Sequence, residues 1–144
     1  MIKPFVDAFM SNKKNLRSDL KKDPPRNYSA LVTAVISTIQ NAQGDSYLDD
    51  ASPDAKRITV IDHGHYQGTL LFIIGETGYQ PHKYWSVYVS YGSCSSCDTL
   101  QAIKSREYDL NYDNDTVTAT ITEKGLDDLM TMALHIVQNI KEIG

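Results

Sequence analysis

The sequence predicts an α+β protein in which a three-stranded antiparallel meander packs against N-terminal helices and a C-terminal helix. Three changes of pattern carry that reading. Apolar residues recur every three or four positions over residues 2–43, form short β-branched and alternating runs over 58–91, and return to helical spacing from about residue 122. Helical spacing gathers the apolar side chains into one stripe, whereas strict alternation gathers them on one face of a sheet.

The elements follow in order. Ile2, Phe5, Val6, Phe9, Leu16 and Leu20 predict a helix over 2–22. Asp23-Pro24-Pro25 ends it, because the residue before a proline is pushed out of the α region. Asn27 is placed to cap a second helix running to about Gln43, with Leu31, Val32, Val35, Ile36 and Ile39 as its buried face. Gly, Asp, Ser and Pro crowd residues 44–56, which read as a connecting loop. Residues 58–61 and 69–74 read as two strands of a hairpin around Asp62-His63-Gly64-His65, and 75–81 as a second turn. The third strand spans 84–91. It places Trp85, Val87, Val89 and Tyr91 on one face and Tyr84, Ser86, Tyr88 and Ser90 on the other, which suits a sheet covered on one side. Asp98 is placed to cap a short helix through Ile103, acid-rich 107–115 reads as loop, and 116–121 as a short strand. The closing helix is expected over 122–142 on the stripe Leu126, Leu129, Met130, Ala133, Leu134, Val137 and Ile140. Gly125 weakens its first turn by roughly 1 kcal/mol relative to alanine.

A chain of 144 residues fits one domain, here 1–144, with a helical part (1–43), a strand and motif core (57–103) and a closing helix (122–142). With 41% apolar and 22% charged residues it falls outside the disordered, collagenous and disulfide-scaffold classes. The run Leu70 to Ile74 is far short of the roughly 20 residues of a membrane helix. Lys3, Pro4 and Asp7 interrupt any signal-peptide pattern, so the expected compartment is the cytoplasm. Charge is uneven. Residues 1–26 carry seven bases and three acids, and the remainder seven bases and fifteen acids. The bases are interleaved with Asp along a helical pattern, as on a solvated helix face docked on an acidic body. A net charge of −4 disfavours phosphate, so no nucleic-acid partner is expected, and no membrane one.

Chemistry concentrates in residues 62–69, 79–85 and 91–98. In an antiparallel meander the first turn and the exit of the third strand share one end of the sheet, which brings the His63/His65 turn near Cys94 and Cys97 and leaves His82 remote. Cys94-x-x-Cys97 with His63 and His65 has the donor types of a zinc site, although a single CxxC lacks the second pair that makes such a signal specific. The same pair at a helix N-terminus also suits a redox thiol, and two cysteines in a tight loop equally suit simple packing or contact with a ligand. His135 falls beside the apolar stripe of the last helix. The nucleotide-loop, nucleophile-elbow and zinc-protease motifs do not occur. Tyrosine is prominent, with nine in the chain and five between Tyr66 and Tyr91. Polar-tipped aromatics suit a recognition surface as well as a covered sheet face.

Tyr66-Gln67-Gly68-Thr69, Tyr79-Gln80-Pro81 with Tyr84-Trp85, and the run Tyr91-Gly92-Ser93-Cys94-Ser95-Ser96-Cys97-Asp98-Thr99-Leu100-Gln101 resemble an uncharacterised family of small phage-encoded proteins. Its members read DDGDYQGT, YQPxxYW and YGSCSGCDTLQ at these places. The resemblance covers 58–103 and, loosely, 129–141. This chain departs from the pattern at His63 and His65, where acids are usual, and at Ser96, where glycine is usual. Acids at the histidine positions favour a hard-cation or hydrogen-bonding role for that turn over a zinc site shared by the family.

Small size, dense aromatic and polar loop chemistry and the absence of a catalytic motif lead to the expectation of a non-enzymatic binding protein, which the resemblance makes a phage product acting in the host cytoplasm. It would sequester a small host molecule or mask a host protein as a counter-defence factor, with self-association into a homo-oligomer left open. The expected ligand-binding residues are Tyr66, Gln67, Thr69, Tyr91, Ser93 and Asp98, without a required cofactor. The alternative is a metal- or thiol-dependent enzyme using Cys94, Cys97, His63 and His65, with zinc as its metal.

Overall fold

A computed structural model describes residues 3–43, 53–64, 68–77, 83–91, 99–113 and 116–143. The chain is α+β. Helices α1 (Lys3–Lys22) and α2 (Tyr28–Gln43) precede strands β1 (Pro53–Gly64), β2 (Gly68–Glu76) and β3 (Tyr84–Tyr91). Then come α3 (Thr99–Glu107), the hairpin β4 (Tyr108–Asp113) and β5 (Thr116–Ile121), helix α4 (Glu123–Gln138) and strand β6 (Lys141–Ile143). Among the described residues no helix is long and apolar enough to cross a membrane.

The helices form where the apolar spacing puts them. In α1, Phe5, Ala8, Phe9, Leu16 and Leu20 make a single buried stripe. The chain leaves the helix at Asp23, whose N–H still reaches Asp19 O at 3.0 Å, just before Pro24-Pro25. Asn27 caps α2: its Oδ1 accepts from the Ala30 N–H at 2.8 Å. Leu31, Val32, Val35, Ile36 and Ile39 have no exposed surface at all. Each contributes about 1.5–3 kcal/mol by leaving water. The basic face of α1 docks on acids of α4, with Arg17 bonded to Glu123 and Asp127 at 2.8 and 2.7 Å and Lys21 to Glu123 at 3.2 Å.

The main sheet has the order β1-β2-β3-β6, antiparallel throughout. Its register pairs Val60 with Phe72 and Phe72 with Val87, so the even positions of β1 and β2 share a face with the odd positions of β3. That face carries Phe72, Ile74, Trp85 and Val87 into the core beneath the helices. Phe5 of α1 meets Trp85 edge-on, with ring centroids 5.1 Å apart. The opposite face presents Tyr84 and Tyr88, 41% and 64% exposed, so the alternation expected for β3 is realised at these positions.

Several boundaries differ from the sequence reading, among them the end of β1, which runs on through Asp62 and His63 to Gly64 where the turn was expected, because those residues pair with Leu70, Thr69 and Gly68. β1 starts at Pro53, inside the expected loop, with a register shift between Pro53 and Ile58. α3 continues to Glu107, through residues that carry no apolar marker beyond Ile103. Residues 108–113 form a strand rather than loop, because pairing with β5 overrides the loop tendency of Asp and Asn. The closing helix ends at Gln138, where Asn139 caps it by donating from Nδ2 to His135 O at 2.7 Å. Ile140 is buried beyond that cap, and β6 then adds a fourth strand beside β3, pairing Lys141 with Ser86.

Candidate functional site

The register fixes which chain segments meet. Gly64 pairs with Gly68, and Gly68 with Tyr91, so the β1–β2 turn and the exit of β3 lie at one end of the sheet. Gly75 pairs with Tyr84 at the other end. The convergence inferred from the sequence therefore holds for the backbone entering both segments.

A cavity of about 360 Å³ opens at that end. Its floor includes Asp62 and Leu70, directly paired across β1 and β2. Its walls come from Arg26 and Tyr28 at the start of α2 and from Gln101 and Lys104 of α3. The α1–α2 connection and the start of α2, which form one wall, are held by two distant side chains and one distant backbone N–H. Lys104 Nζ donates to Arg26 O at 2.7 Å, and Tyr108 Oη donates to Pro25 O at 2.7 Å. The Leu100 N–H donates to the buried Tyr28 hydroxyl at 3.2 Å. Burial pushes the Tyr108 phenol far above its usual range, so it keeps the proton it donates.

Tyr28 is the partition of this end of the molecule. On its far side a second cavity of about 260 Å³ is lined by Val89, Thr99, Met132, His135 and Ile136. Both cavities adjoin the start of α3, into which residues 92–98 lead. Among the described residues, the first is flanked by the guanidinium of Arg26 and the ammonium of Lys104 against the one carboxylate of Asp62, a mixed lining suited to a polar ligand with an anionic group.

Tyr66, Gln67, Ser93, Cys94, Cys97, Asp98 and His65 lie outside the described residues. His63 and Tyr91 are described in their backbone alone, at the ends of β1 and β3. Thr69 is half-buried and pairs with Ser90. Strand alternation puts it on the face opposite Leu70, away from the cavity floor. Among the described residues no group of three or more His, Cys, Asp and Glu could hold a metal ion. Sequence reasoning missed Arg26, Tyr28, Gln101 and Lys104, and no local signal joins them. Asn27, which also borders the cavity, was read only as a cap.

No protein-family model, curated protein or solved structure matches the chain.

Proposed function

We propose that this is a non-enzymatic, phage-encoded binding protein that acts in the host cytoplasm by sequestering a small host molecule, as a counter-defence factor. The observation that carries the reading is the cavity of about 360 Å³ at the end of the sheet where Gly64 pairs with Gly68 and β3 ends at Tyr91. Its volume lies within the range of small-molecule pockets, roughly 300–1,000 Å³, and a few charged and polar groups set among apolar ones are how such pockets orient a ligand. The phage origin rests on the motif resemblance alone.

Titration calorimetry of the purified chain against a panel of host nucleotides tests it, with Gln101→Trp as the variant that fills the cavity mouth from an exposed position of α3. Saturable heat with one nucleotide, lost in Gln101→Trp, is the expected result. Absence of heat across the panel, together with an empty pulldown from host lysate, would sink the proposal. The alternative of a metal- or thiol-dependent enzyme draws on the shared sheet end of His63 and the residues after Tyr91. Elemental analysis of protein purified without added metal separates the two, since less than about a tenth of an equivalent of zinc is incompatible with a tight resident site.

A further inference from the structure

The cavity at the Gly64–Gly68 end of the sheet is electrically directional. Among the described residues its two cations stand on the helical walls, Arg26 at the α1–α2 connection and Lys104 on α3, and its one acid, Asp62, stands on the sheet floor. Asp62 is the cross-strand partner of Leu70, so the carboxylate and the apolar floor beside it come from one rung of the ladder. Strand alternation puts that rung on the side of the sheet that carries Phe72 and Ile74 toward the helices. The remaining apolar lining is Leu100 and Tyr28, both buried.

The cationic wall is tied together within the protein. Lys104 Nζ donates to Arg26 O at 2.7 Å, which fastens the α3 ammonium to the backbone of the residue that carries the guanidinium. That carbonyl is neutral, and it is the one partner of Lys104 among the described residues. The half-buried ammonium therefore keeps its full charge and two further N–H donors. Two cations on one cavity repel each other, and an anion bound to both offsets that repulsion.

A phosphate monoester answers such a wall better than a carboxylate does. It brings a charge of about −1.5 to −2 at neutral pH and three acceptor oxygens, whereas a carboxylate brings a single charge. Asp62 repels that group and accepts from an amine or hydroxyl, so the ligand lies one way round. Resting on the reading that this cavity holds a small molecule, we infer that its ligand is a phosphate monoester whose body carries an amine or hydroxyl. The phosphate lies against Lys104 and Arg26, the apolar part of the body on Leu70 and Leu100, and the donor at Asp62. The volume of about 360 Å³, the space of about a dozen waters, admits the phosphate and a small body. Nucleoside 5′-monophosphates and phosphorylated amines share this chemistry.

Titration calorimetry of the full chain tests it with nucleoside 5′-monophosphates, their nucleosides, O-phosphoethanolamine, ethanolamine and inorganic phosphate. Saturable heat with a nucleotide or with O-phosphoethanolamine is expected, and the one that binds names the source. The dephosphorylated counterpart and inorganic phosphate should each bind at least about tenfold more weakly, since each lacks half of the contacts. Lys104→Gln keeps a donor for Arg26 O and should weaken the ester at least about tenfold and flatten its salt dependence, with Lys104→Arg restoring both. Should Lys104→Gln not match the parent by circular dichroism, the comparison of ester with dephosphorylated counterpart on the parent decides. Absence of heat with every ester, a counterpart or inorganic phosphate as tight as the ester, or unchanged affinity in Lys104→Gln would each overturn the inference. Mass spectrometry of small molecules released from chain incubated in host extract separates this failure from that of the binding reading. An unphosphorylated ligand overturns the phosphate assignment alone, and no ligand in either experiment overturns both.

Discussion

Replacing Gly125 by alanine should destabilise the protein, although helix propensity alone favours the change by about 1 kcal/mol. Gly125 sits in the first turn of α4, where its N–H donates to the Thr122 hydroxyl at 3.0 Å. An added Cβ would come within 2.6 Å of Glu107 Cβ and 2.8 Å of Ile121 Cγ1. Neither atom is the free end of a flexible side chain. Glu107 is also held by its carbonyl, which accepts from the Thr122 N–H at 3.1 Å, so withdrawing it strains that bond. Overpacking of this kind costs about 1–3 kcal/mol, and weakening a hydrogen bond adds about 1. Set against the propensity gain of about 1 kcal/mol, Gly125→Ala should lose about 1–3 kcal/mol. Urea unfolding followed by the emission of Trp85, the single tryptophan, reads this as a lower midpoint at unchanged slope. A variant as stable as the parent would show that α4 does not approach the α3–β4 junction as closely as described.

Phe5→Ala should cost about 3–5 kcal/mol and shift Trp85 emission to longer wavelength, since it opens a cavity against that ring; fluorescence and thermal unfolding check both. Asn27→Ala should cost about 1 kcal/mol through loss of the α2 cap, measured by chemical unfolding, with Asn27→Asp retaining most of it. Glu123 is held below its ordinary value by hydrogen bonds from Arg17 and then Lys21, so its contribution is present above the unfolded value of 4.5 and is lost as pH falls through the lowered one. Glu123→Gln should therefore be less stable than the parent at neutral pH, with the gap closing in acid and narrowing in salt, as a pH series of unfolding midpoints would show.

What was legible in the sequence was what local spacing encodes. The α2 face, the Asn27 cap and the inward set of Trp85 and Val87 follow from periodicity and capping chemistry. The misread elements are those in which a distant partner decides. Tyr108, Leu110 and Tyr112 do alternate with polar residues, but Asp109, Asn111 and Asp113 are loop formers until β5 pairs with them. Ile140 continues the helical stripe in sequence, yet it is buried from beyond the Asn139 cap, which hid both the helix end and β6. The cavity was illegible for the same reason. Tyr28 and Leu100 are 72 positions apart, and Arg26 and Lys104 are 78 apart, so only the tertiary fold makes them neighbours.

The placement of the core along the chain has a consequence for synthesis. Phe5, Phe9, Leu16, Leu31, Val35 and Ile39 lie in the first two helices, whereas Leu126, Leu129, Ala133 and Val137 lie in α4. Arg17 finds Glu123 only after 106 further residues have been added. At about 5–20 residues per second, a nascent chain holds its two leading apolar helices without their final cover for roughly 5–20 s. In that interval the helices have only each other and then the growing meander to bury against. The early chain is thus exposed to holding chaperones and to its neighbours on the same message, and release into the finished fold waits for α4.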